Sequence, residues 1–161
     1  MNDAVRQFVE KMALLCEKEG MARIAGRILG LLLVEDGPFS LDELAERLQA
    51  SKASVSTNAR MLEHMGMVRR VSNLGDRRDF YHIEADPWER MLEVGQGRWR
   101  EMTQLFGDAA ASLPEGMESG RERLRLAESF HTLLLQDSAR LVERWRSLRA
   151  DERAGGAAGE P

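Results

Sequence analysis

Residues 40–84, SLDELAERLQASKASVSTNARMLEHMGMVRRVSNLGDRRDFYHIE, decide the fold. The stretch opens on Ser40-Leu41-Asp42-Glu43, a capping box: the serine hydroxyl accepts from the third helical amide and the glutamate reaches back to the cap. A short helix follows to about Gln49, with Leu41, Leu44, Ala45 and Leu48 inward. Ala50-Ser51 form a turn. Ser51 then caps a second helix that runs to about Met65 and stops at Gly66. Its inward row is Val55, Ala59, Leu62 and Met65, which leaves Lys52, Ala53, Ser56, Thr57 and Arg60 outside. Next, MVRRVS (67–72) and DFYHIE (79–84) alternate apolar and polar residues, as strands with one buried face do. Between them Asn73-Leu74-Gly75-Asp76-Arg77-Arg78 makes a charged hairpin tip. This hairpin is the one sheet the sequence predicts.

Two short helices, a tight turn and a basic hairpin describe a winged helix-turn-helix. The chemistry follows from groove size: a B-DNA major groove, about 12 Å wide, accepts one helix. That helix needs small or hydrogen-bonding residues outward in its first turns so that base edges can come close. Ser51, Lys52, Ala53, Ser54, Ser56, Thr57 and Asn58 meet this need, and Arg60 one turn later can reach a guanine edge or a phosphate. Arg77 and Arg78 at the wing tip suit a phosphate or the minor groove. The ordered set of helix, turn, helix and basic wing points to DNA, although each of these residues alone is ordinary capping or solvated-surface chemistry.

Working outward, residues 2–19 place Phe8, Met12 and Leu15, with Val5 and Val9 beside them, at helical steps, and Gly20 closes that helix. Residues 21–35, MARIAGRILGLLLVE, form a second helix, apolar nearly all round after Ile28. Its Gly26 and Gly30 lie four apart, which suits close approach of a neighbouring helix. Beyond the wing, Asp86-Pro87-Trp88-Glu89 combines a cap, a first-turn proline and a carboxylate at the start of a helix over 87–111. Leu113-Pro114-Glu115-Gly116 breaks it. A last helix from about Glu118 to Ala150 keeps heptad-like apolar spacing through Leu126, Phe130, Leu133, Leu134, Leu141, Val142, Trp145 and Leu148. The expected division is N-terminal dimerisation or support helices at 1–35, the DNA-binding domain at 36–85, a helical dimerisation region at 86–150 and a disordered tail at 151–161.

Composition narrows the class. The 161 residues are 43% hydrophobic and 31% charged, a globular balance, and their Leu, Met, Ala, Glu and Arg favour helix over sheet. The longest apolar run, Ile28–Val34, is far short of the roughly 20 residues of a membrane span. No basic and apolar leader pattern opens the chain, so a cytoplasmic protein is expected. The single cysteine, Cys16, excludes an internal disulfide and a cysteine metal cluster, and it sits beside the inward stripe of the first helix. His64, His82 and His131 are isolated, and no HExxH, GxSxG or phosphate-loop pattern occurs. No enzyme, cofactor or metal is therefore expected. Net charge is −4, yet residues 52–83 hold six Lys/Arg against three Asp/Glu, whereas the segments on either side are net acidic. A basic face on an acidic chain fits a DNA-binding module joined to an assembly region.

Ser40–Met67 together with VRRVSNLGDRRDFYHIE resembles the MarR-type winged-helix regulators, and within them the glycine-betaine-synthesis regulator (GbsR) branch. The branch likeness rests on GMARIAGRILGLLLV at 20–34, SKASVSTNARMLEHMGMV at 51–68 and the wing pattern Gly75-Asp76-Arg77-Arg78-Asp79-Phe80-Tyr81. The resemblance implies a homodimeric, ligand-responsive transcriptional regulator, commonly a repressor, acting on a palindromic operator. Some relatives sense choline or related osmolytes, and aromatic faces attract such quaternary ammonium groups. Tyr81, Trp88 and Trp99 are the effector candidates. Trp88 and Trp99 stand about 16 Å apart along one helix, so Trp88 with Tyr81, at the junction of the wing and the fifth helix, is the preferred pair. The alternative reading is a winged-helix protein-interaction adaptor without sequence-specific DNA binding, which would not require the basic segment.

Overall fold

The computed structural model describes residues 1–72 and 75–157, residues 153–157 by backbone alone. In order along the chain are α1 (Asp3–Lys18), α2 (Arg23–Val34), β1 (Phe39–Ser40), α3 (Leu41–Arg47), α4 (Lys52–His64), β2 (Val68–Val71), β3 (Phe80–Ile83), α5 (Pro87–Ser112) and α6 (Glu118–Ala157). They divide into two units, Met1–Met91 and Leu92–Pro161. Among the described residues no helix is long and apolar enough to cross a membrane.

In the first unit, α1 lies against α2 because two glycines let it. A Cβ on Gly26 would stand 2.6 Å from the Cα of Ala13 and 2.7 Å from the Met12 carbonyl oxygen; one on Gly30 would stand 3.2 Å from the Cα of Val9. The small-residue spacing therefore does what it predicts. The row that α1 buries differs from the expected one: it is Val9, Ala13 and Cys16, while Phe8 and Leu15 stay 37% and 55% exposed. A backbone approach this close admits only slender side chains, so the larger residues turn away. Cys16 thus belongs to the buried row, and burial, with Glu19 nearby, pushes its thiol above the ordinary value. Gly20, at φ 81°, ends the helix as expected.

α2 is buried from Ala25 through Leu32, apart from its solvent-side Arg27. Ile28, Leu31 and Leu32 share one core with Val9, Leu44, Val55, Leu62, Val68 and Tyr81. Each such side chain, fully buried, contributes about 1.5–3 kcal/mol. Through this shared core the two N-terminal helices lie in one compact unit with the winged elements, to which α2 supplies its most apolar surface.

Ser40 caps α3 through the predicted box, its hydroxyl accepting from the Glu43 amide at 3.3 Å and Glu43 Oε2 accepting from the Ser40 amide at 2.7 Å. Ser51 caps α4 by accepting from the Ser54 amide at 3.2 Å. The sheet has three antiparallel strands in the order β1-β3-β2, not the two expected. Tyr81 on the central β3 pairs with Phe39 on one side and Arg70 on the other. A two-residue strand shows no alternation in sequence; β1 exists because β3 has a second edge to satisfy. The predicted tip residues Asn73 and Leu74 lie outside the described residues.

Asp86 starts α5, accepting from the Glu89 amide at 3.1 Å. The boundary between units falls inside this helix, after Met91, rather than at residue 86. In the second unit the end of α5 is tied by Arg121, whose guanidinium donates to the carbonyls of Ala110, Leu113 and Pro114. Ala110, in the last turn of α5, is among the acceptors that a helix end leaves without partners. α6 continues to Ala157 where a tail from residue 151 was expected, because Asp151-Glu152-Arg153-Ala154 can extend a helix already formed. Residues 158–161 of that predicted tail lie outside the described residues.

Candidate nucleic-acid interface

Leu48–Ser51 join α3 to α4. In this turn Gln49 has φ 50°, and it is the one non-glycine residue at positive φ among the described residues. A left-handed residue lets the chain change direction within this short turn. Leu44 of α3 and Val55, Ala59 and Leu62 of α4 are buried together, so the opposite side of α4 is fixed outward. Ser51, Lys52, Ala53, Thr57 and Arg60 are exposed there, with Ser54 and Ser56 partly so.

Asn58 does not join them. It is 8% exposed, and its Nδ2 donates to the Ser54 carbonyl at 2.8 Å. This corrects the expectation that Asn58 reads DNA. Position 58 lies three residues beyond Val55 and one before Ala59, on the buried side of the 3.6-residue repeat, and a short amide survives there by bonding one turn back.

The basic segment is already largely engaged. Lys52 Nζ lies 2.8 Å from Asp42 on α3. Arg60 folds along its own helix, donating to the Ser56 hydroxyl at 3.0 Å and carbonyl at 3.3 Å. Arg70 stands between Glu63 and Asp79, at 3.7 and 3.5 Å. Arg78 binds both carboxylate oxygens of Asp76, down to 2.7 Å, and lies 5.1 Å over the Phe80 ring. The Arg78 bonds hold the Asp76 carboxyl below its ordinary value. Arg69 and Arg77 are exposed with no ion-pair partner among the described residues. The wing thus offers one braced guanidinium at Arg78 and one open guanidinium at Arg77. Sequence reasoning identified the bases but not Asp42 and Asp76, their acidic partners. The Asp76-x-Arg78 spacing was the available signal for one; the other pairs across ten residues and needed the fold.

Of the three effector candidates, Tyr81 and Trp88 belong to the first unit and Trp99 to the second. Tyr81 is 1% exposed in the core, where burial pushes its hydroxyl above the ordinary value. It offers no open ring face, so the preferred Tyr81–Trp88 pair loses one member. Phe80 and Tyr81 are both apolar, so alternation alone does not choose the buried face of β3; in the structure Tyr81 belongs to the core with Ile28, Leu31 and Leu62. Trp88 is 44% exposed. Trp99, in the second unit, lies along its own helix with its ring 3.2 Å from where a Cβ of Gly95 would be. A crevice of about 730 Å³ in the first unit lies elsewhere, lined by Arg6, Glu10, Arg27, Glu46, Arg47 and Gln49.

Residues 19–79 match the profile of the MarR family. The chain is 44% identical over 83 residues to the HTH-type transcriptional regulator MmpR5 of Mycobacterium tuberculosis, covering 51% of this chain and 50% of that one. It is 26% identical over 97 residues to the HTH-type transcriptional repressor GbsR of Bacillus subtilis, covering 60% and 53%. The chain thus spans about half the length of the curated relatives it matches. A crystal structure described as a transcriptional regulator superposes with a TM-score of 0.81 at 29% identity, over 89% of this chain and 99% of that one. The fold is therefore mainly helical, with a winged helix-turn-helix and a small antiparallel sheet.

Proposed function

We propose that this chain is a MarR-family transcriptional regulator that binds double-stranded DNA sequence-specifically as a homodimer, represses transcription, and responds to a small ligand. The observation that carries this reading is α4. A rigid helix, anchored by Val55, Ala59 and Leu62, presents Lys52, Ala53, Ser56, Thr57 and Arg60 on one open face beside a wing bearing Arg77 and Arg78. Small polar residues admit the base edges, and the arginines supply guanine or phosphate contacts. Two copies related by a two-fold axis would set two α4 helices into successive major grooves about 34 Å apart, hence a palindromic operator. A ligand that binds better to a different spacing would lower affinity by that differential binding. Higher identity to the mycobacterial regulator than to GbsR supports reading the family more firmly than its betaine branch. With Tyr81 sealed, Trp88 is the effector candidate kept from the wing junction.

Sequencing the genomic fragments that the purified protein retains would define the operator. On that operator, Arg60→Ala should cost about 1–3 kcal/mol and weaken it more than random DNA. Arg77→Ala should weaken both alike and flatten the salt dependence. An unchanged specific-to-random ratio in Arg60→Ala would remove α4 from the groove.

A further inference from the structure

The Lys52–Asp42 pair has a role the interface described above leaves unassigned. Lys52 is the first residue of α4, and its Nζ is 2.8 Å from Asp42 Oδ1 and 3.0 Å from Oδ2. One ammonium is thus shared by both oxygens of one carboxylate. Both side chains are 59% exposed, so no packing demands the contact. On the wing, Arg78 is held by Asp76, to both of whose carboxylate oxygens it donates. The Asp42 carboxylate therefore acts on the first cation of α4. That ammonium is one of the groups that a phosphate backbone would meet.

A phosphate approaching α4 brings an anion to an ammonium that already has one. It must displace Asp42 or accept its repulsion. We propose that Asp42 is a built-in competitor for DNA at Lys52, which holds down sequence-independent affinity so that only duplexes making base contacts with α4 are retained. This rests on the DNA-binding reading above and names a residue that sets its strength. The competition acts on phosphate, which every duplex carries, so it lowers operator and random affinity together. A positioning role for Asp42, orienting Lys52 toward a base edge, predicts the opposite sign on the operator.

The test is fluorescence anisotropy with the retained operator and with a random duplex, from about 50 to 300 mM salt. The proteins are the full chain, Asp42→Asn, Lys52→Ala, the double variant, and Glu17→Gln. The last removes one charge from α1, where Glu17 pairs with Arg23 at 2.8 Å. Asp42→Asn should tighten both duplexes about two- to fivefold at low salt, the range of an exposed ion pair. It should also steepen the salt dependence by about one phosphate contact. The gain should vanish when Lys52 is already alanine, and Glu17→Gln should show none. Unchanged or weaker operator binding in Asp42→Asn overturns the proposal, as does an equal gain in Glu17→Gln or in the Lys52→Ala background. If the wild-type chain binds neither duplex, the DNA-binding reading falls first and this inference with it.

Discussion

The two units solve the problem of apolar surface in opposite ways. In Met1–Met91, helices α1–α4 and the small sheet share one core, in which Ile28, Leu31, Leu44, Val55, Leu62, Val68 and Tyr81 lose essentially all contact with solvent. In the second unit, among the described residues, Ala110, Ser138 and Val142 are buried, whereas Leu105, Leu126, Phe130, Leu133, Leu141 and Leu148 are 51–72% exposed. Both carry helical apolar rows, but only those of the first unit are closed over. Two helices packed on each other can bury only the rows that face one another, so apolar surface remains on their outer sides within that unit. Exposed apolar rows of this size are what an assembly surface requires, and the homodimer proposed above would use them.

The sharpest way to break this contrast is to make one kind of change in both places. Leu62→Ala should cost about 2–5 kcal/mol in urea unfolding, independent of protein concentration, because it opens a cavity in a closed core. Leu133→Glu should leave the fold of the chain intact and act on association instead. Light scattering at micromolar concentration should give about twice 18.2 kDa for the wild type and one chain mass for the variant. A wild-type monomer, or a Leu133→Glu chain that unfolds as readily as Leu62→Ala, would show that the second unit is stable by its own packing.

Smaller effects sharpen the account of the first unit. Ser40→Ala removes the cap of α3 and should cost about 1 kcal/mol near pH 7. Its partner Glu43 is held below its ordinary carboxyl value, chiefly by the Ser40 hydroxyl and amide. The stabilisation from that carboxylate is therefore complete above the ordinary value and disappears as pH falls through the depressed folded one. The gap between wild-type and Ser40→Ala denaturation curves should narrow as pH falls below the ordinary carboxylate range, leaving the part due to the hydroxyl cap on the Glu43 amide. Gln49→Gly should have the least effect, a gain of up to about 1 kcal/mol, since relief at positive φ is partly offset by the greater freedom of glycine when unfolded. A loss of stability there would mean that the Gln49 side chain contributes more than its backbone costs.

The legibility of this chain in sequence follows the range of its interactions. The capping box at Ser40–Glu43, the Ser51 cap, the stops at Gly20 and Gly66 and the Gly26/Gly30 contact all depend on residues within one or two turns, or on a backbone shape that glycine permits. All were readable. So was the outward row of α4, because a 3.6-residue period and four apolar positions leave it only one orientation. Asn58 shows the limit: its residue type suits DNA, but its angle around the helix puts it inside.

Sequence alone thus determined the helices, their caps, the wing and the side of α4 left free, since each is a local balance of backbone hydrogen bonds and apolar spacing. Tertiary structure decided which apolar rows would meet. It assigned α1 and α2 to the winged unit, chose Val9, Ala13 and Cys16 over the bulkier row, added β1 to the edge of β3 and sealed Tyr81. It also brought Asp42 to Lys52. These outcomes depend on distances between elements and on competition for the same buried space, and neither is written in the periodicity of a single segment.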